Sequence, residues 1–178
     1  MEIIRKKPKI LDIGCGKRKY AGSIGIDKNP KSDADIIRDL NKLPYPFKKN
    51  EFDVVYATHV IEHLRKPFKI LKEVERILKP GGKFIVRVPH FSCVNAYGNP
   101  DHKHYYACES FIDLERHTNF KIEKLKMNYC SYRETLPKKI ISGFFSFFAN
   151  LNTRFCERFW CYWIGGFSEI HVEYKLES

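Results

Sequence analysis

Lys9-Ile10-Leu11-Asp12-Ile13-Gly14-Cys15-Gly16 decides the fold. It reads as a short apolar strand that runs straight into a turn with two glycines, the form taken by a strand buried on both faces of a parallel sheet. Working outward, residues 23–27 (SIGID) and 34–40 (ADIIRDL) predict a second and a third strand, each ending on or next to an acid. A proline-rich turn, Leu43-Pro44-Tyr45-Pro46-Phe47, leads to a fourth strand over 52–58 (FDVVYAT). Between Pro67 and Leu78, the residues Phe68, Leu71, Val74 and Leu78 recur at helical spacing, and Pro80-Gly81-Gly82 stops the helix. A fifth strand over 83–88, a helix over 109–118 and strands over 120–128 and 169–176 complete the pattern.

Strands alternating with helices or crossovers imply an α/β fold. The expected architecture is a Rossmann-like, mostly parallel sheet with helices on both faces and an antiparallel C-terminal edge hairpin. One domain over 1–178 suffices, with a helical aromatic insert at about 131–168.

Composition narrows the function classes. A hydrophobic fraction of 43% argues for a folded core rather than a disordered chain. The first residues, MEIIRKKPK, contain no secretory apolar region, and no apolar run approaches the ~20 residues that cross a bilayer. A cytoplasmic location is the expectation. None of the six cysteines (Cys15, Cys93, Cys108, Cys130, Cys156, Cys161) forms a C-x-x-C pair, so they read as reduced core thiols. The net charge is +11, with clusters at Arg5-Lys6-Lys7, Lys17-Arg18-Lys19 and Lys138-Lys139. This surplus suits a solvated basic surface, or equally a patch for nucleic acid, an anionic membrane or an acidic substrate.

In such sheets, ligands sit outside the carboxyl ends of the strands. Gly14-Cys15-Gly16 permits a tight turn close to a ligand, and Asp27 stands where an acid accepts two ribose hydroxyls, with Lys28 beside it. Asp39 ends the third strand. Together they predict a nucleoside-type ligand. A dinucleotide fingerprint needs a third glycine opening a helix, but Lys19 occupies that position and no amphipathic helix fits between Gly16 and Ser23.

The whole pattern resembles class I S-adenosylmethionine-dependent methyltransferases, in particular the type 11 group. The residues that carry the likeness are Leu11 to Gly16, Gly25-Ile26-Asp27, Asp39-Leu40, Leu43 to Phe47, Phe52 to Val55, His59 to Leu64 and Leu78 to Gly82. It spans residues 9 to about 90 closely and the rest more loosely. The resemblance implies that Asp12 orders the glycine loop and that Gly14, Cys15 and Gly16 pass beneath the methionine part of the cofactor. It further implies Asp27 on the ribose, Asp39 on the adenine amino group with Leu40 nearby, and Thr58 and His59 at the sulfonium end. Against the family pattern, the third glycine and most of the first helix are missing.

His59-Val60-Ile61-Glu62-His63 also matches H-x-x-E-H, a zinc-peptidase pattern that would place His59 and His63 on one face of a helix. The methyltransferase frame accounts for the same residues, and no metal is assigned. The loop after the fifth strand holds His90, Asp101, His102, His104 and Tyr105. His90 and His104 are the first candidates for a base that takes an acceptor's proton. The alternatives are a structural lid, or a metal site built from His90, Asp101, His102 and His104.

In the segment 137–164, Ile140, Phe144, Phe148, Leu151, Phe155 and Phe159 recur at helical spacing, with Lys139, Ser142, Ser146, Asn150 and Arg154 elsewhere on the wheel. The leading expectation is a helical cover whose aromatic stripe packs on the sheet. An apolar acceptor pocket and shallow membrane contact through Trp160 and Trp163 are the other readings. The overall expectation is methyl transfer to a small-molecule acceptor, with a lipid- or sugar-linked one as an option within that class. RNA methylation is second and a cofactor-binding module without catalysis third. Oligomeric state is not legible in the sequence.

Overall fold

The structure, a computed structural model, describes residues 7–129, 136–163 and 166–177. Arg5 and Lys6 of the first basic cluster, Cys130, the beginning of the insert at 131–135 and the side chain of Lys138 lie outside this description.

Seven strands form one sheet: β1 (Ile10–Ile13), β2 (Ile24–Asp27), β3 (Ile36–Ile37), β4 (Phe52–Thr58), β5 (Leu78–Pro89), β6 (Phe120–Tyr129) and β7 (Phe167–Leu176). Their order is β3-β2-β1-β4-β5-β7-β6. The pairs β2/β3, β1/β2, β1/β4 and β4/β5 are parallel, and β7 runs antiparallel to both β5 and β6. This is the expected Rossmann-like sheet with an antiparallel C-terminal edge. The strand order reverses between β1 and β4, which makes their carboxyl ends the switch point where ligands bind. The third strand is shorter than the expected 34–40, because Asp33, Asp35, Arg38 and Asp39 suit solvent better than an edge ladder.

The helices are α1 (Pro67–Ile77), α2 (Val94–Gly98), α3 (Cys108–Arg116), α4 (Leu136–Leu151), α5 (Thr153–Phe155) and α6 (Cys161–Trp163), with a π-helical turn over Cys156–Trp160. One face of the sheet is apolar. Leu11, Ile13, Val55, Ala57, Phe84, Val86, Val172 and Tyr174 join Ile70, Val74 and Ile77 of α1 and Phe111 of α3 in a single core. Tyr174 fixes α3 by donating its hydroxyl to the Phe111 carbonyl at 2.8 Å.

The helix cover is concentrated on this face. Right-handed crossovers from β1 to β2 and from β2 to β3 would place their helices on the opposite one, yet residues 14–23 and 28–35 form no helix. There Asp12, Tyr56, Arg87, Glu169, His171 and Glu173 alternate with the core residues, leaving a polar face.

The insert contradicts the expectation that its aromatic stripe is buried. Of that stripe, Ile140, Phe144, Leu151, Phe155 and Phe159 are 57–69% exposed and Phe148 is 48% exposed. The helix turns its polar stripe inward instead, because β6 is an edge strand whose backbone needs partners. Asn150 accepts from the Met127 amide and donates to the Met127 carbonyl, both at 2.8 Å. Ser146 accepts from the Tyr129 amide at 2.9 Å, and the Ser142 hydroxyl donates to the Tyr129 carbonyl. Residues four apart on one helix thus close the sheet edge.

Candidate functional site

Two adjoining clefts open at the switch point. The larger, about 840 Å³, is lined by Asp12, Gly14, Cys15, Gly16, Lys17, Arg18, Tyr20, Tyr56, Thr58, His59, Arg87 and Glu169. The smaller, about 220 Å³, holds Asp27, Lys28, Asp39, Leu40, Asn41, Val60 and His63. They share Gly14 and His59, so an elongated ligand fits across both.

The loop between β1 and β2 is held by carboxylates rather than by a helix. Buried Asp12 accepts the Tyr20 amide at 2.8 Å, and burial raises its pKa. Asp27 accepts the Gly16 amide at 2.9 Å and the Asn29 amide at 2.8 Å. Gly14 has φ +69°, and a Cβ there would lie 2.3 Å from Val60 Cγ2, so packing as well as conformation demands glycine. Gly16, at φ +54°, has open space on its Cβ side. Burial next to Asp12 pushes the Cys15 thiol up to about 11, which keeps it protonated. Asp39 accepts both the backbone and the side-chain amide of Asn41 at 2.9 Å, bonds that hold its carboxyl below the usual range. Leu40 is buried and Lys28 exposed.

Thr58 ends β4, and His59 turns the chain away with φ +51°, a left-handed conformation uncommon outside glycine. That turn sets its ring between two acids. Nε2 lies 3.2 Å from Glu169 and Nδ1 lies 3.6 Å from Glu62. Burial alone would depress its pKa, but the two carboxylates overcome this and raise it to about 9. Burial likewise opposes ionisation of Glu169, whereas His59 and Arg87 hold its pKa below the usual range. His59 is therefore held in its charged form at neutral pH. Tyr20 stacks on Tyr56 with centroids 4.2 Å apart, giving its polar wall an aromatic surface.

The structure brings Asp12, Gly14, Cys15, Gly16, Asp27, Lys28, Asp39, Leu40, Thr58 and His59 to these clefts. It does not bring His90 and His104 there. His90 is fully buried, and both its nitrogens have structural partners. Nδ1 accepts the Ser92 amide at 3.1 Å, and Nε2 meets Glu157 at 3.1 Å. Glu157 also accepts the Cys108 amide at 2.6 Å, so the pair ties the insert to the first turn of α3. His104 lies on the loop that returns over Glu62, whose carbonyl accepts its amide at 3.2 Å.

The H-x-x-E-H reading fails on geometry. Only Ile61–His63 forms a single 3-10 turn and His59 precedes it, so no helix spans the motif. Nor do His90, Asp101, His102 and His104 gather into one metal-holding group among the described residues. The sequence reading missed Glu169, Arg87, Tyr20 and Tyr56. The alternation Glu169-Ile170-His171-Val172-Glu173-Tyr174 was the available signal, because it puts the acids on the face opposite the core.

The fold and this site define a nucleoside-binding Rossmann-like protein. Its residues suit S-adenosylmethionine: an open glycine turn, an acid at the end of β2 and a wall that carries both acids (Asp12, Glu169) and bases (Lys17, Arg18, Arg87), matching a zwitterionic ligand end. Residues 11–86 match the family described as methyltransferase domain. A methyltransferase of Archaeoglobus fulgidus, described as S-adenosylmethionine-dependent, superposes with a TM-score of 0.64 at 18% identity, over 94% of this chain and 86% of that one. A sterol 4-C-methyltransferase of Caenorhabditis elegans is 35% identical over 100 residues, 52% of this chain and 28% of that protein. A ubiquinone biosynthesis O-methyltransferase of Pelagibacter ubique is 26% identical over 70% of this chain and 66% of its own length. The chain thus spans only part of either relative. Its fold is that of a solved S-adenosylmethionine-dependent methyltransferase, and residues 11–86 are similar in sequence to the methyltransferase domain family.

Proposed function

We propose that this chain transfers the methyl group of S-adenosylmethionine to an apolar, lipid-like acceptor at an anionic membrane surface. The observation that carries the donor half is the pair of adjoining clefts with Asp27 and Asp39 on one side of Gly14 and the His59–Glu169 pair on the other. In this reading Asp27 accepts the ribose hydroxyls, Asp39 and Leu40 face the adenine, and Gly14 to Gly16 lie along the methionine part. Bound there, the cofactor supplies an electrophilic methyl carbon on a sulfonium. The protein contributes position, orientation and exclusion of water. With His90 and His104 away from the clefts, His59 is the imidazole at the reacting end. Paired to two carboxylates it is charged at neutral pH, which suits it to orient an acceptor rather than to take a proton.

The acceptor half is supported by the insert. Phe144, Phe147, Phe148, Leu151, Phe155, Phe159, Tyr162 and Trp163 are exposed together, an apolar surface too large to be incidental. Exposed Lys139 and Arg158 lie in the same segment of a chain of net charge +11, which complements an anionic bilayer rather than a neutral one, whereas Arg154 is paired with Glu109. An apolar pocket of about 260 Å³, walled by Phe145, Phe148, Phe155, Trp160 and Phe167, opens in the same segment. Among the described residues no helix is long and apolar enough to cross a membrane. Relatives named for a sterol and for ubiquinone point to the same class of acceptor.

Co-sedimentation with phosphatidylglycerol-containing and pure phosphatidylcholine vesicles tests the surface. Binding confined to anionic vesicles and weakened by salt supports the reading. Self-association of the free protein with no vesicle binding would assign the patch to a second copy instead.

A further inference from the structure

Glu62, His63 and His102 each offer a ligand atom within 4.8 Å of the others. Glu62 is 1% exposed, and neither carboxylate oxygen has a hydrogen-bond partner among the described residues. Its nearest cation is His59, with Nδ1 at 3.6 Å. A buried carboxylate whose oxygens make this one long contact to His59 and no hydrogen bond can accommodate a further positive group.

The two imidazoles are arranged to provide the rest of a site. His102 Nδ1 lies 2.8 Å from the Ala96 carbonyl and His63 Nδ1 lies 3.3 Å from the Asp101 carbonyl. A carbonyl only accepts, so in the neutral ring the proton sits on Nδ1 and Nε2 keeps its lone pair. Anchoring of one ring nitrogen to a backbone oxygen is the usual support of a metal-ligating histidine. The rings stand at 71° with centroids 4.6 Å apart, edge to face rather than stacked.

We propose that Glu62, His63 and His102 bind a divalent cation of the zinc type. Two imidazole nitrogens and one carboxylate oxygen favour a borderline ion over magnesium or calcium, which take mainly oxygen ligands. Three protein ligands leave a fourth position for a water or acceptor oxygen, as in reactive rather than purely structural sites. Ligands about 2 Å from one tetrahedral ion lie roughly 3.4 Å apart. Binding would bring ligand atoms that now lie within 4.8 Å of one another closer together. The His102 loop carries Asp101, which lines the smaller cleft together with His63. The cation would clasp the loop to the turn after β4 at the edge of the donor site. The site differs from both metal readings of the sequence, since it uses neither His59 nor His90.

The test is a titration of the chelator-stripped full chain, without any affinity tag or methyl donor, using cobalt(II) and then zinc(II). Omitting the donor keeps the outcome independent of the proposed activity. The expected result is one equivalent of cobalt bound, visible ligand-field absorption, and displacement by one equivalent of zinc. His102→Ala, on a half-buried loop, and Glu62→Gln, which keeps the side-chain volume, should each weaken binding at least about tenfold. His117→Ala, at an exposed site on the far end of α3, should bind like the parent. Circular dichroism confirms that each variant is folded. Absence of the bands in the folded parent, or equal affinity in folded His102→Ala, would overturn the assignment.

Discussion

The donor half of the sheet and the helical insert follow opposite logics. Around β1, β2 and β4 each distinctive residue answers a backbone requirement. Gly14 must avoid Val60, Asp12 must take the Tyr20 amide, and Asp27 must take those of Gly16 and Asn29. Such demands are local, so they surface as a recognisable string. In α4 the polar residues Ser142, Ser146 and Asn150 satisfy an edge strand many residues away, and the aromatics are left outside. The lesson is that an amphipathic period shows that a helix has two faces without saying which one is turned inward. The unpaired backbone of β6 decided it.

Substitution of Asn150 breaks this comparison most severely. Asn150→Leu keeps the size but leaves the amide and carbonyl of fully buried Met127 unpaired. A loss of about 2–4 kcal/mol is expected in urea unfolding. If the aromatic face were the docked one, the same change would be neutral or stabilising.

A second effect separates the lock from the chemistry. Burial opposes ionisation of Glu157, but His90 and the Cys108 amide lower its pKa below the ordinary value of 4.5. A depressed carboxyl stabilises the fold above its unfolded pKa and loses that contribution as pH falls through the folded one. Melting temperature should therefore fall below pH 4.5, and the fall attributable to this pair should shrink in His90→Gln, where the imidazole contact is lost. An unchanged acid profile in that variant would remove the pair from its anchoring role.

The smallest expected change in stability comes from the outer face. Phe144→Ser combined with Phe148→Ser alters side chains that are 58% and 48% exposed. Unfolding should shift by no more than about 0.5 kcal/mol per site. Anionic-vesicle affinity should drop about thirtyfold, at roughly 1 kcal/mol for each of the two aromatics withdrawn from the interface. A large loss of stability would mean that the stripe is a core element after all.

These contrasts also mark what the sequence made legible. The strands, the order of the glycine turn and acids, and the antiparallel C-terminal edge all follow from periodicity and short motifs. Glu169 and Arg87 were not found because charged residues alternating along a strand read as a solvated face, and only the missing helix of the β1–β2 connection turns that face into a cleft wall. His90 read as a base because histidines in loops near strand ends suit proton transfer. Its partner Glu157 is 67 residues away, beyond any local pattern. The Glu62 cluster likewise needs His102, brought back by the loop after β5.

The central claim is that the adjoining clefts bind the methyl donor through Asp27. Calorimetric titration with S-adenosylmethionine and S-adenosylhomocysteine, in parallel on the parent and on Asp27→Ala, tests it most directly. The account predicts saturable binding of both ligands by the parent. In the variant, loss of charge-assisted bonds to the ribose, about 2 kcal/mol, corresponds to an affinity about thirtyfold weaker. No binding by the folded parent, or equal affinity in the folded variant, would contradict it.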